Sequence, residues 1–348
     1  MTYLSLYEWF EHNRRVLPWR ETTNPYFIWV SEIILQQTRV EQGMAYYYRF
    51  IETFPTVEAL AQASEDEVLR LWQGLGYYTR ARNLHKAAKL IVAESGGGTT
   101  FPDTYEGLKA LPGVGDYTAG AIASFAYDLP FPALDGNVYR VLSRLTACAI
   151  PFDTTEGKHH FHGTAEQLLD RAHPRLFNSA LMELGALHCV PLHPDCETCP
   201  LQFDCQAYAQ GKVDYLPVRK PRPKLTDRYL NYTIYICPRD AESPTEATTL
   251  IRQRTGQDIW KHLYEFPLEE SDHLFKPEER TSLGGAERYF DVTHILSHQR
   301  LHARFFVCRV QALPEMEGGI VTRVSDLDRY ALPRLLLKAL ERVMSVWG

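Results

Sequence analysis

Four cysteines, Cys189, Cys196, Cys199 and Cys205, crowd into one stretch with the spacing C-x6-C-x2-C-x5-C. Thiolates at such separations can converge on one metal centre. They suit zinc, whose usual signature has two C-x2-C pairs where this stretch has one, or a 4Fe–4S cluster. Two carboxylates are also candidates for chemistry. Glu32 sits amid Val30, Ile33, Ile34 and Leu35. An exposed helix position is the commoner fate of such a glutamate. Facing inward, it would have a raised pKa and keep a proton to give. Asp135, in Leu134-Asp135-Gly136-Asn137-Val138, reads as the N-cap of a helix through Arg140 and Leu145. Backbone N–H donors there favour the ionised carboxylate. Upstream, the turn Leu111-Pro112-Gly113-Val114-Gly115 precedes the small-residue helix start Thr118-Ala119-Gly120-Ala121. Glycines allow close backbone approach, and N–H groups at a helix start suit a phosphate oxygen. An ordinary helix–turn–helix joint accounts for the same residues.

The elements that must position these groups are mostly helical up to residue 210. Ser5 to Phe10 begins one helix, and Ile28 to Phe50 is another apolar-rich helical stretch. Asp66 to Trp72 has helical spacing and stops at Gly74. Composition changes after Gly211. Residues 215–224 hold Pro217, Pro221 and Pro223 among basic side chains and read as an extended linker. Beyond it, Tyr229 to Ile236 and Leu301 to Val310 have the aromatic and β-branched content of strands. Leu332 to Val343 closes the chain as a helix. The fold expected is therefore mainly α. An all-α domain over 1–210 carries the cysteine loop at 189–205, a linker covers 211–226, and a smaller α+β domain follows over 227–348.

Composition sets the outer bounds. The chain has 348 residues, 45% of them hydrophobic and 23% charged, which suits two packed domains and argues against disorder. A net charge of −6 disfavours nucleic acid unless cations cluster locally. Arg80, Arg82, Lys86 and Lys89 form one such cluster, and Arg219, Lys220, Arg222 and Lys224 another. The first residues carry Glu8, Glu11, Arg14 and Arg15 where a signal peptide would be apolar, and no apolar run is long enough to span a membrane. A cytoplasmic, nucleoid-associated protein is expected. Seven cysteines fit no closed disulfide framework. Cys148, Cys237 and Cys308 read as small buried hydrophobes.

The cysteine spacing resembles the cluster loop of the endonuclease III superfamily of DNA glycosylases. Gly113-Val114-Gly115 resembles that superfamily's helix-hairpin-helix, with Asp135 at the distance of its catalytic aspartate. Three positions resemble the adenine-specific branch. Ser31-Glu32-Ile33-Ile34-Leu35-Gln36-Gln37-Thr38 carries its glutamate. Tyr117 stands where strand-cleaving relatives have a Schiff-base lysine. Asp135-Gly136-Asn137 matches that branch throughout. Leu17-Pro18-Trp19-Arg20, Gly74-Leu75-Gly76-Tyr77-Tyr78 and Met182-Glu183-Leu184-Gly185-Ala186 extend the likeness over nearly the whole chain. The second domain is similar to a Nudix fold through Leu250 to Arg254, Ile259-Trp260 and Glu265-Phe266-Pro267. It lacks the Nudix metal signature after Pro267, so pyrophosphatase chemistry is not expected.

The resemblance implies a 4Fe–4S cluster on the four cysteines. It implies a monofunctional glycosylase that removes adenine opposite 8-oxoguanine or guanine in double-stranded DNA, acting as a monomer. Glu32 would protonate adenine N7 and later activate water. Asp135 would stabilise the sugar cation, and Tyr117 and Asn137 would orient these groups. Gly113 and Gly115 would grip a DNA phosphate. Gln37 and Tyr77 would enter the base stack, although a buried core position is the commoner fate of an aromatic. Trp19, Arg20, Leu35 and Glu183 would line the pocket for the flipped base. Ser297 and His298 would read 8-oxoguanine, with Leu296 replacing the family's phenylalanine beside them. The competing readings are a thymine-mismatch or oxidised-pyrimidine glycosylase of the same fold, and a non-catalytic iron–sulfur DNA-binding module.

Overall fold

The structure is a computed structural model that describes residues 3–94, 100–221, 224–238, 246–279 and 288–347. Arg222 and Pro223, expected in the linker, lie outside the described residues. The chain folds into two compact units, and they interleave in sequence. The first comprises Met1–Gln62 with Asn83–Pro221, the second Ala63–Arg82 with Arg222–Gly348. No helix of the described residues is long and apolar enough to cross a membrane.

The first unit is helical. α1 (Tyr3–Asn13), α2 (Pro25–Leu35), α3 (Val40–Thr53) and α4 (Val57–Gln62) lead into it. α5 (Glu65–Leu71) and the opening residues of α6 (Thr79–Glu94) belong to the second unit. The first resumes with the rest of α6, then α7 (Tyr105–Ala110), α8 (Asp116–Tyr127), α9 (Gly136–Leu145), α10 (Thr155–Leu168), α11 (Pro174–Leu187) and the short α12 (Gln206–Ala209). Polar side chains start these helices as their types dictate. Asn24 accepts from Tyr26 N, Thr104 from Gly107 N, and Thr154 from Gly157 N, each satisfying an N–H that the helix leaves over. α2 is buried nearly all round and packs on α3 and α8. A second core joins α1, α9, α10 and α11 through Leu6, Phe10, Val141, Phe161 and Leu181.

One expectation is refined here. The stretch from Ile28 to Phe50 is two helices, because Gln36 leaves the helical conformation at ψ 114 and Gln37 is left-handed at φ 56. A non-glycine residue in that region is strained, and no glycine or proline marks the break in the sequence. The linker also differs from a free extended chain. Leu216 is buried, Phe152 N donates to the Val218 carbonyl at 3.4 Å, and Lys220 N donates to Asp153. Residues 216–220 therefore dock on the first unit.

The second unit holds two sheets, built from β1 (Thr226–Ile236), β2 (Thr248–Gln253), β3 (Tyr264–Glu265), β4 (Leu268–Ser271), β5 (Arg288–Ile295), β6 (Gln299–Arg309) and β7 (Gly319–Arg323). One has the order β4-β1-β6-β5, with β1 and β6 parallel, and the other β3-β2-β7. α13 (Arg334–Trp347) closes the chain and starts after Pro333, two residues later than its apolar pattern begins. The core holds Tyr232, Ile234, Phe305, Leu335 and Leu336. Ala63–Arg82 packs with these strands. Tyr264 Oη donates to Asp66 at 2.9 Å, Arg82 donates to the Lys261 carbonyl at 2.8 Å, and Glu65 bonds His262.

Candidate active site and cysteine centre

Glu32 is buried, contrary to the exposed position its neighbours favour. It lies on the stretch of α2 that is enclosed on every side. Burial pushes its carboxyl from the ordinary carboxylate range up to about 7, and nearby Asp135 adds to that effect. A hydrogen bond from Tyr117 Oη to Oε2, at 2.5 Å, and the charge of Arg20 oppose the rise without cancelling it. Among the described residues no hydrogen bond is made at Oε1. Burial and the facing carboxylates hold the Tyr117 phenol well above its ordinary value, so it stays a neutral donor.

Asp135 caps α9 as its position implies. Oδ1 accepts from Asn137 N at 2.9 Å and Val138 N at 2.8 Å, while Oδ2 accepts from Asn137 Nδ2 at 2.7 Å. These bonds favour the ionised form, but burial outweighs them and the net displacement is upward. The expectation of a carboxylate held ionised by helix-start donors is corrected to that extent. Asn137 is itself placed by Arg140, whose Nη2 donates to its Oδ1 at 2.8 Å and to the Gly185 carbonyl at 2.6 Å.

A cavity of about 1340 Å3 in the first unit gathers most of the expected residues. Trp19, Arg20, Glu32, Leu35, Gln37, Gly113, Gly115, Tyr117, Asp135, Asn137 and Glu183 all line it. Trp19 is also a core residue, packed edge-on to Tyr47. Glu183 is fully buried and spoken for. Its Oε1 accepts from Arg15 N and Nε, and its Oε2 from Arg15 Nη2 and Arg20 Nη2, both at 2.7 Å. Burial raises its pKa, but these bonds prevail and hold it at about 2. Glu183 thereby fixes Arg20 at the cavity wall. Arg15 was not anticipated, since it lies among four charged residues of an ordinary-looking amphipathic start.

The turn between α7 and α8 is built as the glycines suggest. Gly113 has φ +80, and a Cβ there would fall 2.8 Å from that of Asn83. Asp116, at the first turn of α8, is engaged by Lys109 and Tyr105.

Tyr77, Ser297 and His298 belong to the second unit. Tyr77 is half exposed and left-handed at φ 49, rather than an ordinary core aromatic. Its loop is pinned from below. Trp72 Nε1 and Arg80 Nη2 both donate to the Gly76 carbonyl, at 3.0 and 3.2 Å. Ser297 and His298 are exposed at the turn between β5 and β6, and Ser297 Oγ is hydrogen-bonded to Tyr77 Oη. Leu296 packs against the core and anchors that turn. Arg80 and Arg82 each give a guanidinium donor to a protein carbonyl. Arg252 and Arg254 pair with Glu265.

Cys189, Cys196, Cys199 and Cys205 line one small cavity of about 30 Å3. Burial pushes the Cys199 thiol up to about 12, and the other three sulfurs raise it further against a backbone bond that lowers it. Sulfurs set this close must be deprotonated to act as ligands, so binding a cationic group and losing protons go together. Among the described residues no three donors close on a single point as one ion requires. Arg144, which no motif marks, ties the loop to α9. It donates to Cys189 Sγ at 3.3 Å and to the Val190, Pro191, Val213 and Leu216 carbonyls. Cys148 and Cys237 are only partly buried, and Cys308 alone of that trio is buried as expected.

Residues 30–156 match the family model of the HhH-GPD superfamily base excision DNA repair protein, and residues 243–342 match that of the NUDIX domain. The adenine DNA glycosylase of Buchnera aphidicola subsp. Baizongia pistaciae is 36% identical over 86% of this chain and 84% of its own. That of subsp. Acyrthosiphon pisum is 31% identical over 96% of this chain and 95% of its own. The Mus musculus enzyme is 44% identical over 65% of this chain and 45% of its own. Among solved structures, a thermostable thymine-DNA glycosylase aligns with TM-score 0.53 at 27% identity, covering 60% of this chain and 94% of that one. Endonuclease III in a non-covalent DNA complex shares the fold, with TM-score 0.51 at 22% identity over 60% of this chain and 95% of that one. Those two likenesses stop short of the whole chain, whereas the likeness to the bacterial adenine enzymes runs through most of both units. The chain belongs to the adenine DNA glycosylase family.

Proposed function

We propose that the chain hydrolyses the N-glycosidic bond of adenine mispaired with 8-oxoguanine or guanine in duplex DNA, leaving the strand uncut. One observation carries the reading. A buried Glu32, bonded by Tyr117, shares a cavity with an Asp135 held by three N–H donors. The target base must leave the stack to enter such a cavity. Glu32, half-protonated near neutral pH, gives its proton to adenine N7, and the C1′–N9 bonding pair departs with the base. The sugar cation that remains lies beside the Asp135 carboxylate. Ionised Glu32 then takes a proton from the water that adds to C1′. Tyr117 and Asn137 hold the two carboxylates, and Tyr117 has no amine with which to form a Schiff base, so no lyase step follows.

Gly113 and Gly115 take a phosphate at the hairpin. Trp19, Arg20 and Leu35 enclose the base, with Glu183 fixing Arg20. Gln37 and Tyr77, both exposed and left-handed, are set to enter the stack. Ser297 and His298 on the second unit read the 8-oxoguanine. We take the glycosylase domain as 1–210, the linker as 211–226 and the Nudix-like domain as 227–348. Cys189, Cys196, Cys199 and Cys205, which line one small cavity, would hold a 4Fe–4S cluster, a choice over zinc supported by their spacing, with one C-x2-C pair where a four-cysteine zinc site usually has two. Bound, the cluster supplies the cross-links that fold the loop beside α9, and the proton steps above are made by protein side chains alone.

The test is a labelled duplex with one adenine opposite 8-oxoguanine. Adenine is expected in solution, and the strand should break only after alkali. A break without alkali would overturn the monofunctional assignment. No adenine release, with thymine released from a T:G duplex instead, would overturn the whole reading.

A further inference from the structure

The cavity of the first unit, about 1340 Å3, exceeds the ~300–1,000 Å3 of an ordinary small-molecule pocket. One of its walls is a face of α10. Lys158, His159, His162, Gly163 and Glu166 all line the cavity, and their spacing puts them on one side of the helix. Most of the cavity's charge is already committed. Arg15 and Arg20 bind Glu183, Lys109 pairs with Asp116, and His162 lies 3.5 Å from Glu166. Arg175 gives Nη2 to the Ala126 carbonyl. Lys158 and His159 are exposed and, among the described residues, have no carboxylate partner. Beside them a Cβ built on Gly163 would meet nothing within 4 Å, so the helix surface is open at that point.

A chain of net charge −6 must gather phosphates with local cations. The backbone flanking an extruded nucleotide has to cross the mouth of the cavity that receives its base. We propose that Lys158 and His159 on α10 hold the phosphodiester backbone of the strand carrying the extruded adenine. The proposal rests on the reading above, that the cavity accepts a base from duplex DNA. Lys158 acts as a point charge and His159 as an N–H donor to a phosphate oxygen. Phosphate contacts fix register without reading sequence, so both residues position the substrate.

The test measures affinity for a duplex with a single A:G mispair, in a Glu32→Gln background that does not turn it over. Salt is varied between about 50 and 200 mM. Lys158→Ala should weaken binding several-fold at low salt and make the slope of log K against log salt shallower by about 1. Lys158→Arg should restore both, and His159→Ala should weaken binding with the circular-dichroism melt unchanged. An unchanged slope and affinity in Lys158→Ala overturns the proposal, even if the wild-type chain releases adenine. A shallower slope in a chain that releases no adenine would leave the phosphate contact and overturn the function instead.

Discussion

Glu32 shows how burial leaves a common carboxyl holding its proton up to about neutral pH. Its identity was legible in the sequence through the resemblance of its segment. Its burial was not, since an apolar run with one glutamate more often turns that residue outward. Enclosure of α2 by α3 and α8 decided the matter. The raised value has a cost in stability. The folded chain holds this proton more tightly than the unfolded one, so the contribution is complete below about pH 4.5 and is lost as pH rises through about 7. Glu32→Gln should therefore gain on the wild type as pH rises, by roughly 2–3 kcal/mol between pH 5 and pH 8.5. Thermal melts at the two pH values check this, and a gap that does not widen would mean Glu32 is not buried as described. The same variant should lose roughly 10²–10⁴-fold or more in single-turnover adenine release while still shifting mismatched DNA in a gel. Release near the wild-type rate would sink the proposed mechanism.

Among the elements, the contact of α9 with α11 sets the geometry of Asp135. Gly185 on α11 is the point of closest approach, where a Cβ would fall 2.7 Å from the Asn137 Cβ and 3.0 Å from its carbonyl oxygen. Gly185→Ala should push α9 away, shift the Asn137 donor off Asp135, and slow base release by about 10-fold or more, because sub-ångström misplacement is costly in a preorganised site. An unchanged rate in a folded Gly185→Ala variant would show that the helices slide without consequence. The helices at residues 5–10, 66–72 and 135–145 were legible in the sequence, with Asp135 as a cap, whereas the caps Thr104 and Thr154 of α7 and α10 emerge only from the structure. The break at Gln36–Arg39 was not legible, because left-handed Gln37 carries no glycine or proline to announce it. Arg15, Arg140 and Arg144 were missed for a related reason. An inward-turned arginine looks like any surface cation until its carboxylate and carbonyl partners, brought from distant segments, are known.

At the scale of the molecule, a change of composition marks where the linker begins, but it says nothing about which segments pack together. The helix α5 and the Tyr77 loop sit inside the first half of the sequence and are packed by the last third. Tyr78 Oη reaches the Leu332 carbonyl at 3.4 Å, and Asp66 and Glu65 bond Tyr264 and His262. A chain cut after Thr226 should keep the cysteine centre and the Glu32 cavity. Amide-exchange protection across residues 63–82 should fall, and adenine release opposite 8-oxoguanine should fall more than release opposite guanine. Full protection of 63–82 in the truncated chain would show that the segment stands without those partners. Equal losses on the two duplexes would remove the lesion-reading role of Ser297 and His298.

The interleaving of the two units also has a consequence for synthesis. Glu65 and Asp66 leave the ribosome 197 and 198 positions before the residues they bond, and Tyr78 leaves 254 positions before Leu332. At about 5–20 residues per second that is a wait of roughly 10–50 s. Before it ends, the residues that line the cavity around Glu32 and Asp135 have all been made, while the Tyr77 loop, held locally by Trp72 and Arg80, still lacks its partners from the last third of the chain. On the proposed reading, the nascent protein thus acquires the carboxylates of Glu32 and Asp135 well before the Tyr77 loop is fixed, and the unit proposed to read the lesion is completed later.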